Sequence, residues 1–157
     1  MKTLFDLVGE FHRKFDLPHA GETAPRLLSE QEAKFRFTFL MEETTELFEA
    51  HAEGDIAGCA DALVDLVYVA LGTAHMMGVP FDDVFAEVQR ANMTKQRAQS
   101  ADESKRGSAL DVIKPKGWVG PDVVSCLARH QSAVEQKESQ KPLFDKEQSN
   151  VKKSGTE

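Results

Sequence analysis

Eight carboxylate residues lie between positions 42 and 65, and they are the residues whose types and spacing could do chemistry. No Lys or Arg occurs between Arg36 and Arg90, so no cation within the stretch neutralises them. A cluster of acids without cations is costly unless it is solvated, protonated or bound to a metal ion. Oxygen ligands suit a hard cation such as Mg²⁺, which usually keeps water or substrate phosphate oxygens as its other ligands. The eight residues are Glu42, Glu43, Glu46, Glu49, Glu53, Asp55, Asp61 and Asp65.

Two helices are needed to position these acids. Glu42, Glu43 and Glu46 form an E-E-x-x-E pattern, and Asp61 and Asp65 follow as D-x-x-x-D. Side chains three or four residues apart share one face of a helix. If the two helices pack antiparallel, the two acidic faces meet and build an oxygen-lined metal site.

The simpler interpretation is a solvated helix face, which is sufficient for Glu49 and Glu53. It is less suited to Asp65, which lies within the apolar run 63–67 and would be costly if buried without a partner. A di-iron bundle usually requires Glu-x-x-His, and neither His51 nor His75 follows a Glu at that spacing. We interpret His51 as a surface residue and His75 as a core histidine bonded to a neighbour.

A basic segment follows the acidic one. From Arg90 to Lys116 the chain carries seven Lys and Arg residues against three acids. A metal site beside such a segment suits a polyphosphate, because cations neutralise the remaining phosphate charge. Asn92 and Lys95, placed on one helix face, are the strongest candidates for phosphate binding. Solubilising surface charge is the alternative for any single residue, and Trp118 is interpreted as an anchor for its loop.

The predicted fold is all-α, with four to five helices. Apolar residues recur at helical spacing, and Ser29 with Glu32 has the spacing of a capping box. The third helix is apolar on most of its surface, which suggests that a second subunit packs on it. The predicted helices cover residues 3–16, from Ser29 to about Glu53, 55–77, 81–98 and 121–136.

Length and composition predict one domain over residues 1–122, a possible extra helix at 123–136 and a polar, disordered tail at 137–157. A net charge of -7 argues against stable nucleic-acid binding. Two cysteines, Cys59 and Cys126, and no apolar leader suggest a reducing cytoplasm. The apolar run 62–74 is too short to span a bilayer, so no membrane partner is expected.

Taken together, these segments resemble the all-α nucleoside triphosphate pyrophosphohydrolases, which include MazG, the dimeric dUTPases and phosphoribosyl-ATP pyrophosphohydrolase. The signature of that superfamily is E-E-x-x-E, a gap, and then E-x-x-D. Residues 42–46 match the first half, and Asp65 matches the final Asp. The stretches 85–95 and 114–118, with Phe11-His12, look like the small MazG-like branch resembling phosphoribosyl-ATP pyrophosphohydrolase. The resemblance covers roughly residues 5–122.

One position departs from the superfamily pattern. Ala62 stands where E-x-x-D has its Glu, and the nearest acid is Asp61, one residue earlier. Asp61 still shares a helix face with Asp65, at a spacing of four instead of three. We expect Asp61 to substitute for the missing Glu, directly or through water.

The resemblance implies a hydrolase that converts a (d)NTP and water to the (d)NMP and pyrophosphate, with Mg²⁺ or Mn²⁺ and as a homodimer or homotetramer. dUTP or another unwanted dNTP would be the substrate. Phosphoribosyl-ATP hydrolysis in histidine synthesis is one alternative, a non-catalytic nucleotide- or metal-binding protein is a second, and a helical oligomer without a site is a third. The implied roles are metal binding for Glu43, Glu46, Asp61 and Asp65, catalysis for Glu42, Glu43, Glu46 and Asp65, and phosphate binding for Asn92, Lys95 and Lys114.

Overall fold

The computed structural model describes residues 1–140, and these residues are mostly helical, with very little strand. Between the last two helices lie a 3₁₀ turn and a two-stranded antiparallel ladder, in which Gln96 pairs with Ile113 and Arg97 with Val112. The all-α prediction is confirmed. The elements are α1 Leu4–Lys14, α2 Glu30–Glu53, α3 Ile56–Met76, α4 Phe81–Asn92, β1 Gln96–Arg97, the 3₁₀ turn Ala101–Glu103, β2 Val112–Ile113 and α5 Val123–Gln140.

The side chain of Ser29 caps α2 where the sequence indicated. Ser29 accepts a hydrogen bond from the backbone N–H of Glu32, and the Glu32 carboxylate accepts one from the N–H of Ser29. The guanidinium of Arg26 also donates two hydrogen bonds to Glu32. These bonds, with that of Arg26 first, lower the pKa of Glu32 to about 2. The reciprocal bonds fix the start of α2 and therefore the register of the acidic residues along it.

The long helices α2 and α3 form the most extensive helix contact of the described chain. Gly54 ends α2 in the left-handed conformation, with a φ of 73°, and Asp55 accepts a hydrogen bond from the N–H of Ala57 to begin α3. This tight turn sends α3 back along α2, so Arg36 reaches Val69 and Thr73. The antiparallel arrangement needed to bring the acidic faces together is therefore present.

Helix α4 ends at Asn92, six residues before the predicted end at residue 98. The carbonyl of Ala91 accepts hydrogen bonds from the hydroxyl of Thr94 and from the indole N–H of Trp118. These bonds satisfy the helix end, and the chain then enters the β1–β2 ladder, which the sequence did not indicate. Lys95 therefore lies beyond the helix, and its predicted place on one helix face with Asn92 is wrong.

The last helix, α5, packs on α4 and on the loop that follows α1. The contact with that loop includes a hydrogen bond of 2.8 Å between His130 Nε2 on α5 and the carbonyl of Ala20. The helix begins close to the predicted position but continues to Gln140, four residues into the predicted tail. The prediction of disorder for the remaining tail falls on residues 141–157, outside the described part.

Helix α3 is long and apolar enough, by length and composition, to cross a membrane. The prediction from the run 62–74 considered a shorter segment than the helix Ile56–Met76 that passes this test, and the expectation of no membrane partner stays a prediction. Core helices of soluble proteins pass it too. Here α3 packs against α1 and α2 on one side.

Candidate active site

The acidic faces of α2 and α3 meet along the seam between the two helices. Glu43 is the buried member of the group, with 6% of its surface exposed. Its Oε2 atom is buried and has no hydrogen-bond partner among the described residues. Four further acids, all exposed, surround it: Glu42, Glu46, Asp61 and Asp65.

The electrostatics of Glu43 show that four neighbouring carboxylates act on it. Burial is the first cause that raises the pKa of Glu43, and the negative charges of Glu46, Asp65, Glu42 and Asp61 raise it further, in that order. Such a group favours a proton or a cation over the bare charge. The structure thus brings all five predicted acids into one electrostatic cluster.

The buried acid in the structure is not the one that the sequence suggested. The sequence suggested that Asp65 would be the buried carboxylate, but Asp65 is exposed and Glu43 occupies the seam. Ala62, which stands in place of the motif Glu, is buried with 3% of its surface exposed. Asp61 precedes it by one residue and is therefore rotated by about 100° around the helix axis, out of the seam. Asp61 reaches the cluster only from its exposed side.

The donor set fits a hard divalent cation. Within residues 1–140, no three Asp, Glu, His or Cys side chains already converge as a formed metal site. However, the orphan Oε2 of Glu43 lacks a partner, the surrounding donors are carboxylate oxygens, and none of the groups that shift its pKa is a cation. Mg²⁺ and Mn²⁺ prefer oxygen ligands of this kind.

A pocket of about 230 Å³ opens beside the cluster, between α1, α2 and α3. Its acidic end holds Glu43 and Asp65, and its other end holds Arg36 and His12. Aromatic side chains supply much of the wall between the two ends. The lining residues are Phe11, His12, Leu17, Arg36, Phe39, Glu43, Asp65, Tyr68, Val69 and Gly72.

The cationic end of this pocket was missed by the sequence interpretation. Arg36 is nine-tenths buried, and it donates hydrogen bonds from Nε to Thr73 Oγ1 at 3.0 Å and from Nη2 to the carbonyl of Val69 at 2.6 Å. One signal could have found it: Arg36 is the last cation before the long acidic stretch and lies seven residues, or two helix turns, before Glu43.

The predicted phosphate-binding residues lie elsewhere on the chain. Lys95 and Lys114 both approach the ring of Trp118, with Nζ at 5.7 Å and 4.4 Å from its centre. The indole of Trp118 donates to the carbonyl of Ala91, which anchors the loop as predicted. Neither lysine lines the pocket, nor does Asn92, which is exposed at the end of α4.

An apolar groove of about 270 Å³ runs between α1 and α3 on the outer side of the chain. Leu63, Val64 and Val67 in this groove are each more than two-fifths exposed. Patches of this kind on a single chain mark interaction surfaces. The groove is lined by Leu4, Leu7, Val8, Leu63, Val64, Val67, Tyr68 and Leu71.

The structure agrees with the interpretations of His75 as a core residue and of His51 as a surface residue. His75 is 2% exposed, its Nε2 donates to the carbonyl of Phe5 at 2.9 Å, and its Nδ1 accepts from the N–H of Ala20 at 3.3 Å. It is a core histidine with both ring nitrogens bonded. His51 is exposed on α2.

Comparison with known proteins identifies one family. Residues 8–92, more than half of the chain, match the profile of the phosphoribosyl-ATP pyrophosphohydrolase family. The chain is also 32% identical over 82 residues to an uncharacterized protein of Acanthamoeba polyphaga mimivirus. That match covers 51% of this chain but only 33% of the viral protein, so the chain spans about a third of that relative's length. The family match includes α2, α3 and the whole acidic cluster.

Proposed function

Since the chain belongs to the phosphoribosyl-ATP pyrophosphohydrolase family, within the MazG-like all-α superfamily, we propose that it is a metal-dependent nucleoside triphosphate pyrophosphohydrolase. Water would cleave the bond between the α- and β-phosphates of a (d)NTP, giving the (d)NMP and pyrophosphate. The observation that carries this proposal is the orphan carboxylate oxygen of Glu43, buried among four other acids beside a pocket.

Glu43, Glu46 and Asp65 are the residues that would hold Mg²⁺, with Asp61 assisting from the exposed side of α3. When bound, the cation neutralises phosphate charge and lowers the pKa of water. The bound cation would give Glu43 the partner that its Oε2 lacks and would relieve the repulsion that raises its pKa. Mn²⁺ has the same preference for carboxylate oxygens and would substitute.

The remaining acid, Glu42, has a role of its own in this proposal. It is exposed beside Glu43 and would orient the attacking water and accept its proton. As the water oxygen bonds to phosphorus, its proton would pass to Glu42, the bond from that phosphorus to the bridging oxygen would break, and pyrophosphate and the (d)NMP would separate.

Phosphate binding by Asn92, Lys95 and Lys114 would require a second subunit, because these residues do not line the pocket of their own chain. The apolar groove between α1 and α3 supplies the contact surface for a homodimer, and a homotetramer would repeat it. We therefore include the oligomer in the proposal. In such an oligomer, the basic segment of one subunit, residues 90–116, would approach the acidic cluster of the other subunit.

Phosphoribosyl-ATP hydrolysis is the second candidate, and the description of the matching family favours it. Both substrates carry a triphosphate that is cut at the same bond, so the acidic cluster serves either. They differ in the ribosyl group attached to the adenine ring. A direct comparison of phosphoribosyl-ATP with the dNTPs, including dUTP, separates the two candidates.

The test is pyrophosphate release from a panel of dNTPs, NTPs and phosphoribosyl-ATP, with Mg²⁺ or Mn²⁺ and an EDTA control. We expect metal-dependent turnover that is lost in Glu46→Gln and reduced in Asp61→Asn. No turnover of any nucleotide by folded, metal-loaded protein would overturn the proposal. Nucleotide-induced stabilisation without turnover would instead indicate the non-catalytic binding protein that Ala62 in the motif keeps open.

A further inference from the structure

The pocket beside Glu43 has a second polar end that metal and phosphate chemistry does not use. Arg36 and His12 form this end, and both are at least nine-tenths buried. Arg36 lies seven residues before Glu43 on α2, which is about 10 Å along the helix axis. This separation matches the reach of a nucleotide from its α-phosphate to the far edge of its base.

Arg36 is held in one orientation and keeps donors to spare. Its Nε and Nη2 atoms bond to Thr73 and Val69, which fixes the plane of the guanidinium. Nη1 makes no hydrogen bond to any residue of the described chain. A buried guanidinium is a donor-only group with a permanent positive charge, so it favours an acceptor atom such as a carbonyl oxygen.

His12 presents the complementary group. Its Nδ1 lies 2.7 Å from the carbonyl of Pro18 and must donate to it, because a carbonyl only accepts. Nε2 of the neutral ring is therefore an acceptor, and no hydrogen bond to it occurs within residues 1–140. Burial, together with the charge of Arg36, lowers the pKa of His12 and keeps the ring neutral.

Gly72 brings the two groups side by side. A Cβ atom at this position would lie 3.0 Å from Arg36 Nη2 and 3.0 Å from His12 Nε2. Both polar groups therefore border the same small gap on α3. The pocket wall thus offers a donor next to an acceptor.

Aromatic rings complete the pocket. Phe11, Phe39 and Tyr68 contribute to its lining, and the rings of Phe11 and Tyr68 meet edge-on with centres 5.6 Å apart. Every nucleobase has a π-face that stacks on such rings, so the walls accept a base without selecting one. Discrimination between bases therefore depends on Arg36 and His12 at the polar end of the pocket.

We propose that this pocket holds the nucleobase and that Arg36 and His12 select bases with a carbonyl beside a ring N–H. The carbonyl accepts from the Arg36 guanidinium, and the ring N–H donates to His12 Nε2. Guanine, hypoxanthine, uracil and thymine have this edge. Adenine and cytosine carry an amino group and a bare ring nitrogen there, so the same pose sets donor against donor and acceptor against acceptor. The inference rests on the proposed function and names its substrate class.

The first experiment compares kcat/KM for dGTP, dITP and dUTP with that for dATP and dCTP. A site built to hydrogen-bond a group rejects analogues that lack it, so we expect at least about a tenfold preference for the first set. The triphosphate of 2-aminopurine deoxyriboside lacks the guanine carbonyl and should lose a similar factor. This comparison uses only the wild-type protein and does not depend on how a variant folds.

The second experiment removes the donor with Arg36→Met and uses Lys34→Met, an exposed cation on the same helix, as the matched control. The preference should collapse in Arg36→Met through loss of kcat/KM for the carbonyl bases, with Lys34→Met unchanged. Calorimetry with dGMP and dAMP gives a readout without turnover. Wild type should bind dGMP at least about tenfold more tightly, and His12→Phe should weaken this difference.

The outcomes separate the two proposals. Absence of pyrophosphate release from every nucleotide overturns the proposed enzyme itself. Turnover without a base preference, or with a preference for dATP or dCTP, overturns only the selection by Arg36 and His12. A preference that persists in folded Arg36→Met overturns it as well.

Discussion

Glu43 and His75 are both buried titratable residues on neighbouring helices, yet they differ in how their polar atoms are hydrogen-bonded and in the charges around them. His75, 2% exposed, has both ring nitrogens hydrogen-bonded to backbone groups and stacks on Phe5 with ring centres 3.8 Å apart. Glu43, 6% exposed, has an orphan oxygen and four acids around it. Buried polar groups are normally satisfied, so the difference separates a residue that stabilises the fold from one that, under the proposed function, binds a metal ion.

The shifts in pKa follow the same division. Burial lowers the pKa of His75 to about 4, so that the ring is neutral and fits its two backbone partners. Burial and like charges raise the pKa of Glu43, and no cation relieves them. The neutral ring of His75 therefore suits its site, whereas the charged form of Glu43 is destabilised by burial and by its neighbours.

The sharpest way to test this comparison is Glu43→Gln. We expect pyrophosphate release to fall by about 100-fold or more, the range contributed by a positioned catalytic group. Thermal stability should stay the same or rise, because the change removes a buried charge without removing any hydrogen bond. Glu53→Gln, an exposed acid at the end of the same helix, is the control and should retain full activity. A large loss of stability in Glu43→Gln would contradict the assignment.

The converse change is His75→Ala. It leaves the carbonyl of Phe5 and the N–H of Ala20 without partners and opens a cavity beneath the Phe5 ring. We expect a loss of roughly 2–4 kcal/mol in the free energy of unfolding, measured by denaturant titration. His51→Ala on the exposed surface should change it by less than about 0.5 kcal/mol. Protein that remains folded should keep its kcat, since His75 lies outside the pocket beside Glu43.

The dependence of stability on pH should give a smaller effect with a defined sign. The folded pKa of His75, about 4, lies below its ordinary value of 6.5, so the unfolded chain binds more protons between these values. The stability that depends on the neutral His75 ring is therefore fully present above pH 6.5 and is lost as the pH falls towards 4, by roughly 3 kcal/mol. The curve should be flatter in His75→Gln over this window.

Glu43 has the opposite sign in the same measurement. Its folded pKa is raised, so its contribution is present below the ordinary carboxyl value and is lost as the pH rises through the folded value. Glu43→Gln should therefore gain stability relative to wild type as the pH rises in metal-free buffer. Equal curves for the two proteins would show that Glu43 is not under stress in the folded chain.

Local features were predictable from the sequence because they depend on neighbouring residues. The Ser29–Glu32 capping box, the end of α2 at Gly54 and the Asp55 cap all lie where the spacing indicated. The grouping of the acids also followed, since helical periodicity fixes which residues share a face. These features required no knowledge of how distant segments meet.

What could not be predicted depends on helix orientation and on distant contacts. Periodicity does not state which acid is most buried between the two helices, so the burial of Glu43 and the exposure of Asp65 could not be predicted. Arg36 meets His12 only because α1 crosses the pocket formed by α2 and α3. The end of α4 depends on Trp118, which is 27 residues away from the carbonyl that it caps.

Gly72 has a mechanical consequence for the pocket. The Gly54 turn joins α2 and α3 at one end, and Gly72 lies towards the other, where any side chain would press on Arg36 and His12. A larger residue there would displace the Arg36 guanidinium and the His12 ring from their positions in the pocket. Because Glu43 lies nearer the Gly54 turn than Arg36 does, the base-binding end of the pocket would be disturbed most and the acidic end least.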